Sequence, residues 1–287
     1  MQKIIAMDEL QFIDFLRKKA PKMKGVIRGI GDDCAQVKVG KETLLLKSDL
    51  FIEGVHFKKK DMTYKSIGMR AVARVLSDFA ACGGAPKFIG ISLGRPKDIC
   101  GHALNDIVSG VNFYSRKYKF SLIGGDTARS QKLFLDVWGL GTAKEFISRS
   151  SAKAGDAIFL SGPLGARPFN KPFEPRLEEA KYLKSFKVNS MIDVSDGFII
   201  DFYRILKMSK KGALLYEDSI PCTKGKSDFY RGEDYELIFT VDKKEQRLNE
   251  LKKRFYFVGE IKNKDFGYKI KRGSSIKKVS IGGYTHF

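Results

Sequence analysis

The chain has 287 residues, 43% of them hydrophobic, enough for one large domain or two of ordinary size. No apolar run reaches a membrane span, the N-terminus lacks a signal-peptide layout, and Cys34, Cys82, Cys100 and Cys222 show no metal-ligand spacing, so a cytoplasmic protein with reduced thiols is expected. The net charge of +20 raises nucleic-acid binding, but the basic residues are scattered, as in Lys58-Lys59-Lys60 and Lys252-Lys253-Arg254, with no accompanying nucleic-acid motif; the charge reads as composition.

Helical and strand signals alternate along the chain. Residues 8–19 carry Leu10, Ile13, Phe15 and Leu16 near helical spacing, ending before Pro21. Thr43 to Lys47 reads as a strand feeding Ser48-Asp49 at its end. Residues 64–82 form a helix with Ile67, Ala71, Val75, Leu76 and Phe79 on one face, stopped by Gly83-Gly84. Asp78 falls beside that apolar stripe, an odd place for an unpaired acid. Residues 98–118 read as another helix. Ser121 to Ile123 is a short strand that delivers Gly124-Gly125-Asp126, and Leu133 to Thr142 is a longer one. Polar and basic residues over 143–153 mark a boundary. Beyond it, Ala157 to Leu160 is a strand, Met191-Ile192 a strand end leading to Asp193, 197–208 a helix, and Tyr235 to Val241 a strand after the Gly232-Glu233-Asp234 turn.

The acids gather in short clusters: Gly31-Asp32-Asp33, Ser48-Asp49, Ser77-Asp78, Gly124-Gly125-Asp126, Asp193-Val194-Ser195-Asp196-Gly197 and Gly232-Glu233-Asp234. Each alone has a plain structural explanation, since Asp before Gly is common in turns and Ser195 or Asp196 could cap a helix. Jointly they say more. Four lie at expected strand ends or adjoining turns, where α/β proteins place ligands. Gathered acids repel and need cations. Hard oxygen ligands suit Mg2+, which commonly brings phosphate with it. The residues therefore point to a magnesium-dependent enzyme acting on phosphates.

The same segments carry a resemblance. Gly29-Ile30-Gly31-Asp32-Asp33-Cys34-Ala35, Ser48 to Phe57, Leu76 to Gly83, Leu122 to Thr127, Arg149 to Asp156, Met191 to Gly197, Gly232 to Leu237 and Gly283 to Phe287 are together similar to the thiamine-monophosphate kinases, in the superfamily named for aminoimidazole ribonucleotide synthetase. The resemblance implies an α/β fold of the α+β type in two domains. Residues 1–145 would bind ATP and Mg2+ and pair in a homodimer through their sheet, and 146–287 would complete the site. It implies transfer of the ATP γ-phosphate to thiamine monophosphate, with several Mg2+ ions. Carried over position by position, Asp33, Ser48, Asp49, Asp78, Asp126 and Asp193 would hold metal, with Asp196 a further candidate and Lys47 at the adjoining strand position. Gly125, Asp126, Arg149 and Ser195 would contact ATP, with Tyr118 near the nucleotide. His56, Glu233 and Tyr284 would contact thiamine monophosphate. No nucleic-acid or membrane partner is implied.

The chain departs from the family pattern in places. The stretch between Gly165 and Glu174 is short, Arg231 stands where glycine is common, and Lys47 replaces a small hydroxyl residue. Two alternatives stay open: another ATP-dependent synthetase of the superfamily, and a basic nucleic-acid-binding module whose acids are structural.

Overall fold

The structure is a computed structural model and describes residues 7–21 and 23–284. Two sheets account for the strands. The first is built from β1 (Val26–Arg28), β2 (Ala35–Val39), β3 (Glu42–Ile52), β4 (Ala85–Arg95), β5 (Ser121–Gly124), β6 (Thr127–Arg129) and β7 (Phe134–Thr142). Its order is β1-β2-β3-β7-β4-β5, with β6 also on β4. The second holds β8 (Ala157–Leu160), β9 (Val188–Asp193), β10 (Lys211–Tyr216), β11 (Leu237–Val241), β12 (Tyr256–Asn263), β13 (Tyr268–Arg272) and β14 (Ser275–Lys278), in the order β14-β13-β10-β12-β8-β11-β9. Six α-helices accompany them among the described residues: α1 (Glu9–Lys19), α2 (Tyr64–Ala81), α3 (Gly101–Tyr118), α4 (Leu177–Leu183), α5 (Phe198–Ser209) and α6 (Leu248–Arg254). The mixed α/β architecture read from the sequence is what forms. The C-terminal Thr285, His286 and Phe287 lie outside the described residues.

Strand alternation decides what each sheet covers. In β3, Leu45, Lys47, Asp49 and Phe51 face inward toward α2, while Leu46, Ser48 and Leu50 face out. In β8, Ala157 and Phe159 join the core beneath α2, and Ile158 and Leu160 join a second core under α5. Both faces of β8 are thus covered, so it reads as an unbroken apolar run. The core beneath α2 also takes in Leu177 and Leu183 of α4 and Met191 of β9. One helix of the first half is therefore packed by both halves. It can approach α3 closely because Gly68 and Gly110 face the opposing backbone: a Cβ on Gly68 would lie 2.1 Å from the Ile107 carbonyl oxygen.

Two strands of the first sheet depart from the sequence reading. β3 runs on to Ile52, so Ser48-Asp49 lies inside a strand and not at its end. β4 was not expected at all, because Pro86 reads as a breaker. Its proline sits where the register with β7 shifts between Pro86 and Phe88, which lets the strand continue.

Candidate metal and phosphate site

The centre is assembled from four distant segments. Asp33 precedes β2, Asp78 lies near the end of α2, and Asp193 ends β9; all three are buried, and one carboxylate oxygen of each lies within 4.8 Å of the others. Asp49 enters from the inward face of β3. The Lys47 ammonium, two residues earlier on that face, stands 3.4 Å from Asp49 Oδ1 and 3.1 Å from Asp78 Oδ1. Ser77 Oγ donates to Asp193 Oδ2 at 2.6 Å, tying α2 to the second sheet at the centre itself. Arg149 clasps Asp33, with Nε 3.2 Å from Oδ2 and Nη2 on Oδ1, and its Nη1 donates to the Gly31 carbonyl at 3.1 Å.

Electrostatics follow from burying so many acids together. Burial, then the charge of Asp33, pushes the Asp193 carboxyl up to about 7 against the Ser77 bond. Burial also raises Asp78 well above the carboxylate range, with Asp49, Asp193 and Asp33 adding to it and Lys47 opposing. Burial would raise Asp49 too, but Lys47 and Arg74 outweigh it and bring that carboxyl below its ordinary value. Lys47 is held above its ordinary value because Asp49, Asp78 and Asp33 overcome its desolvation. The protein's own cations thus leave the triad short of positive charge. Clustered hard oxygen donors in that state fit Mg2+.

The other expected site residues are placed as follows. The Ser48 side chain does not join the centre: strand alternation turns it to the outer face, where Oγ donates to Asp136 Oδ1 at 2.5 Å. Asp126 is exposed and stands outside the triad, its Oδ1 accepting from Thr127 N at 2.7 Å. Gly125 before it has φ +151, and a Cβ there would lie 1.8 Å from the Ile91 carbonyl oxygen, so only glycine fits. Tyr118 bonds the Glu174 carboxylate and stacks on Tyr114 at 6.0 Å, so its hydroxyl is engaged by the short segment. His56 Nδ1 accepts from Ile52 N at 3.0 Å, and the residue borders a cavity of about 190 Å³ with Phe57, Met62, Phe169 and Asn170.

The loop of Ser195 and Asp196 is held by a residue the sequence reading missed. Neither caps α5. Asp201, one turn inside the helix, accepts from the backbone N–H groups of Ser195, Asp196 and Gly197 at 3.0, 2.9 and 3.1 Å. Asp196 pairs with Arg204 at 2.7 Å. Glu233 N donates to Ser195 O at 2.8 Å, and Tyr284 N donates to Asp196 O at 2.9 Å, so these three segments meet.

Glu233 carries the second surprise. With φ +68 it sits in the left-handed region. Its carboxylate bonds Arg70 on Oε2, and on Oε1 it takes Arg74 at 2.6 Å and the Tyr235 hydroxyl at 2.8 Å. Arg70, Arg74 and Asp78 recur every four residues, so one stripe of α2 presents two guanidiniums and then an acid. That spacing was the available signal; the expectation that α2 buries an apolar face obscured it.

A two-sheet α/β chain whose halves close on a buried carboxylate centre is of the AIR synthase type, and residues 31–143 match the family described as AIR synthase related protein, N-terminal domain. Over nearly its full length the chain is 33% identical to a thiamine-monophosphate kinase of Buchnera aphidicola subsp. Schizaphis graminum, covering 95% of this chain and 96% of that one. A thiamine-monophosphate kinase of Pyrococcus abyssi is 29% identical, with 99% and 97% covered. The solved structure described as AaThiL complexed with AMPPCP and TMP superposes with a TM-score of 0.85 at 27% identity, covering 99% of this chain and 100% of that one. The chain belongs to the thiamine-monophosphate kinase family.

Proposed function

We propose that the protein transfers the γ-phosphate of ATP to thiamine monophosphate, giving thiamine diphosphate and ADP, with Mg2+ held by Asp33, Asp49, Asp78 and Asp193. The observation that carries this reading is the meeting of three buried carboxylates from three separate segments, in a chain alike to kinases of that substrate from end to end. Bound Mg2+ would neutralise facing phosphates and stabilise charge on the transferring group. The acceptor phosphate is already an anion, so the chain need supply no base. His56 fits that: its Nδ1 is taken by a backbone amide. Arg149 supplies a fixed guanidinium at the edge of the centre. The Ser195–Gly197 loop, fixed by Asp201, is the proposed seat of ATP contacts together with Gly125 and Asp126. The cavity lined by His56, Phe169 and Asn170 is the proposed seat of the thiamine rings, and Glu233 and Tyr284, which meet at the Ser195–Asp196 backbone, are the other proposed substrate contacts.

Two further readings belong to the same proposal. The chain divides at 145/146, in the connection between the two sheets. The first sheet pairs with that of a second copy: its outer face shows exposed Leu46, Leu50 and Phe88, with Trp138 lying over Gly90, where a Cβ would come within 2.1 Å of the indole. Among the described residues no helix is long and apolar enough to cross a membrane; a cytoplasmic location is part of the proposal.

The test is direct. Purified protein with ATP, Mg2+ and thiamine monophosphate should form thiamine diphosphate and ADP in equal amounts, with loss of turnover in EDTA. Release of ADP without thiamine diphosphate, or no reaction at saturating Mg2+, overturns the reading.

A further inference from the structure

Lys47 occupies an unusual place. It sits on the inward face of β3 between Leu45 and Asp49, in a row that otherwise packs against α2. Its ammonium contacts Asp49 Oδ1 and Asp78 Oδ1 together, at 3.4 and 3.1 Å, and its side chain keeps only 23% of its exposure. A lysine on such a face ordinarily sends its ammonium outward along its flexible stem. Here it turns into the acidic centre, bridging acids from a strand and a helix. A cation that bridges two carboxylate oxygens does what a divalent ion between them would do, with one charge in place of two.

We propose that Lys47 is a resident cation of the centre, filling the position between Asp49 and Asp78 that a divalent ion would otherwise take, so that this protein binds one divalent ion fewer than its carboxylates could hold. The proposal rests on the metal-centre reading above. Among the described residues Lys47 forms no ion pair with Asp33 or Asp193, which are held instead by Arg149 and by the Ser77 hydroxyl, and the metal-facing role is left to those two carboxylates. Arg149 clasps Asp33 from its own side. Lys47 and Arg149 are thus two built-in cations of the centre. A consequence is that part of the centre is assembled before any metal arrives. The protein without metal should therefore be less troubled by its own acids than a centre built from carboxylates alone.

The test uses the full-length protein and two substitutions. Bound Mn2+ is counted by electron paramagnetic resonance, with and without a non-hydrolysable ATP analogue, for the parent and for Lys47→Ser. Thermal unfolding is followed in EDTA and in saturating Mg2+ for the parent and for Lys47→Met, which keeps the length of the stem. The expected results are one additional Mn2+ per chain in Lys47→Ser, and a melting temperature for Lys47→Met lower by on the order of 5–10 °C in EDTA but close to the parent in Mg2+. Equal Mn2+ counts in parent and Lys47→Ser overturn the proposal while leaving the metal centre standing. So does a Lys47→Met deficit as large in Mg2+ as in EDTA, which marks a purely structural pair. Absence of Mn2+ binding to either protein overturns the proposal and the metal-centre reading together.

Discussion

Replacing Glu233 by Gln tests the buried ion network that joins α2 to the second half. Both carboxylate oxygens are taken, by Arg70 on one side and by Arg74 and the Tyr235 hydroxyl on the other. Arg70 is fully buried, and Glu233 is its only carboxylate partner among the described residues. Without that charge Arg70 retains the Lys171 carbonyl at 2.7 Å and a weaker contact to the Pro168 carbonyl. Removing one member of a buried pair costs about 3–5 kcal/mol. Glu233 keeps 21% of its side-chain exposure, and the Gln carbonyl still accepts a bond, so the loss should lie near the lower end, about 3 kcal/mol. For a chain of this size that lowers the melting temperature by roughly 6–9 °C. Urea unfolding of Glu233→Gln, Arg70→Met and the double variant closes a cycle in which the double variant should lose about 1–3 kcal/mol less than the sum of the singles. Strictly additive losses, or a Glu233→Gln protein that melts within a degree of the parent, would refute the claim that this carboxylate is an anchor. A change confined to the Michaelis constant for thiamine monophosphate would show instead that it faces the substrate alone.

Three other outcomes are expected. Burial pushes Asp234 up to about 7 in the folded chain, against about 3.9 when unfolded, so the folded state keeps a proton that the unfolded state has lost, and stability falls as pH rises between those values. Asp234→Asn keeps the acceptor for Gly165 N, and its gain over the parent in melting scans should grow by on the order of 2 kcal/mol from pH 5 to pH 8; a pH-independent difference would count against the shift. Gly125→Ala forces a Cβ against the Ile91 carbonyl and should cost about 3 kcal/mol or more along with most of the turnover; a fully active, equally stable variant would show that the turn relaxes freely. Leu50→Arg on the outer face of the first sheet should convert a particle of twice 32.3 kDa to a monomer in light scattering, and an unchanged mass would place the pairing surface elsewhere.

Much of the fold was legible where local pattern and tertiary role agree. The helix over 64–82 and the strand over 157–160 show clear periodicity, and they form as α2 and β8. The path of β4 was hidden because a proline ordinarily ends a strand, and only the register shift beside it permits continuation. The acids of the centre were legible as types, because glycine and serine neighbours marked them. Which of them converge came from the family resemblance and not from local pattern, since convergence depends on pairing across more than a hundred residues. Strand alternation turned Ser48 away while bringing in Lys47. Arg70 and Arg74 were missed although their four-residue spacing was visible, because α2 was read for its apolar face and their partner is a glutamate in the other half.

The packing of α2 limits how such a protein can be altered by exchange of parts. Its residues are encoded in the first half, yet its surface is shared between the two. Leu177 and Leu183 of α4 and Met191 of β9 belong to the same core, Ser77 bonds Asp193, and Arg70 and Arg74 reach Glu233. A second half borrowed from a distant relative would therefore meet a helix shaped for a different neighbour. It would have to match apolar stripe, guanidinium pair and hydroxyl all at once. Recombination at the connection between the sheets, which looks like the natural seam, would cut across this shared surface. The two halves are thus constrained to change together, although more than a hundred residues separate Ser77 from Asp193.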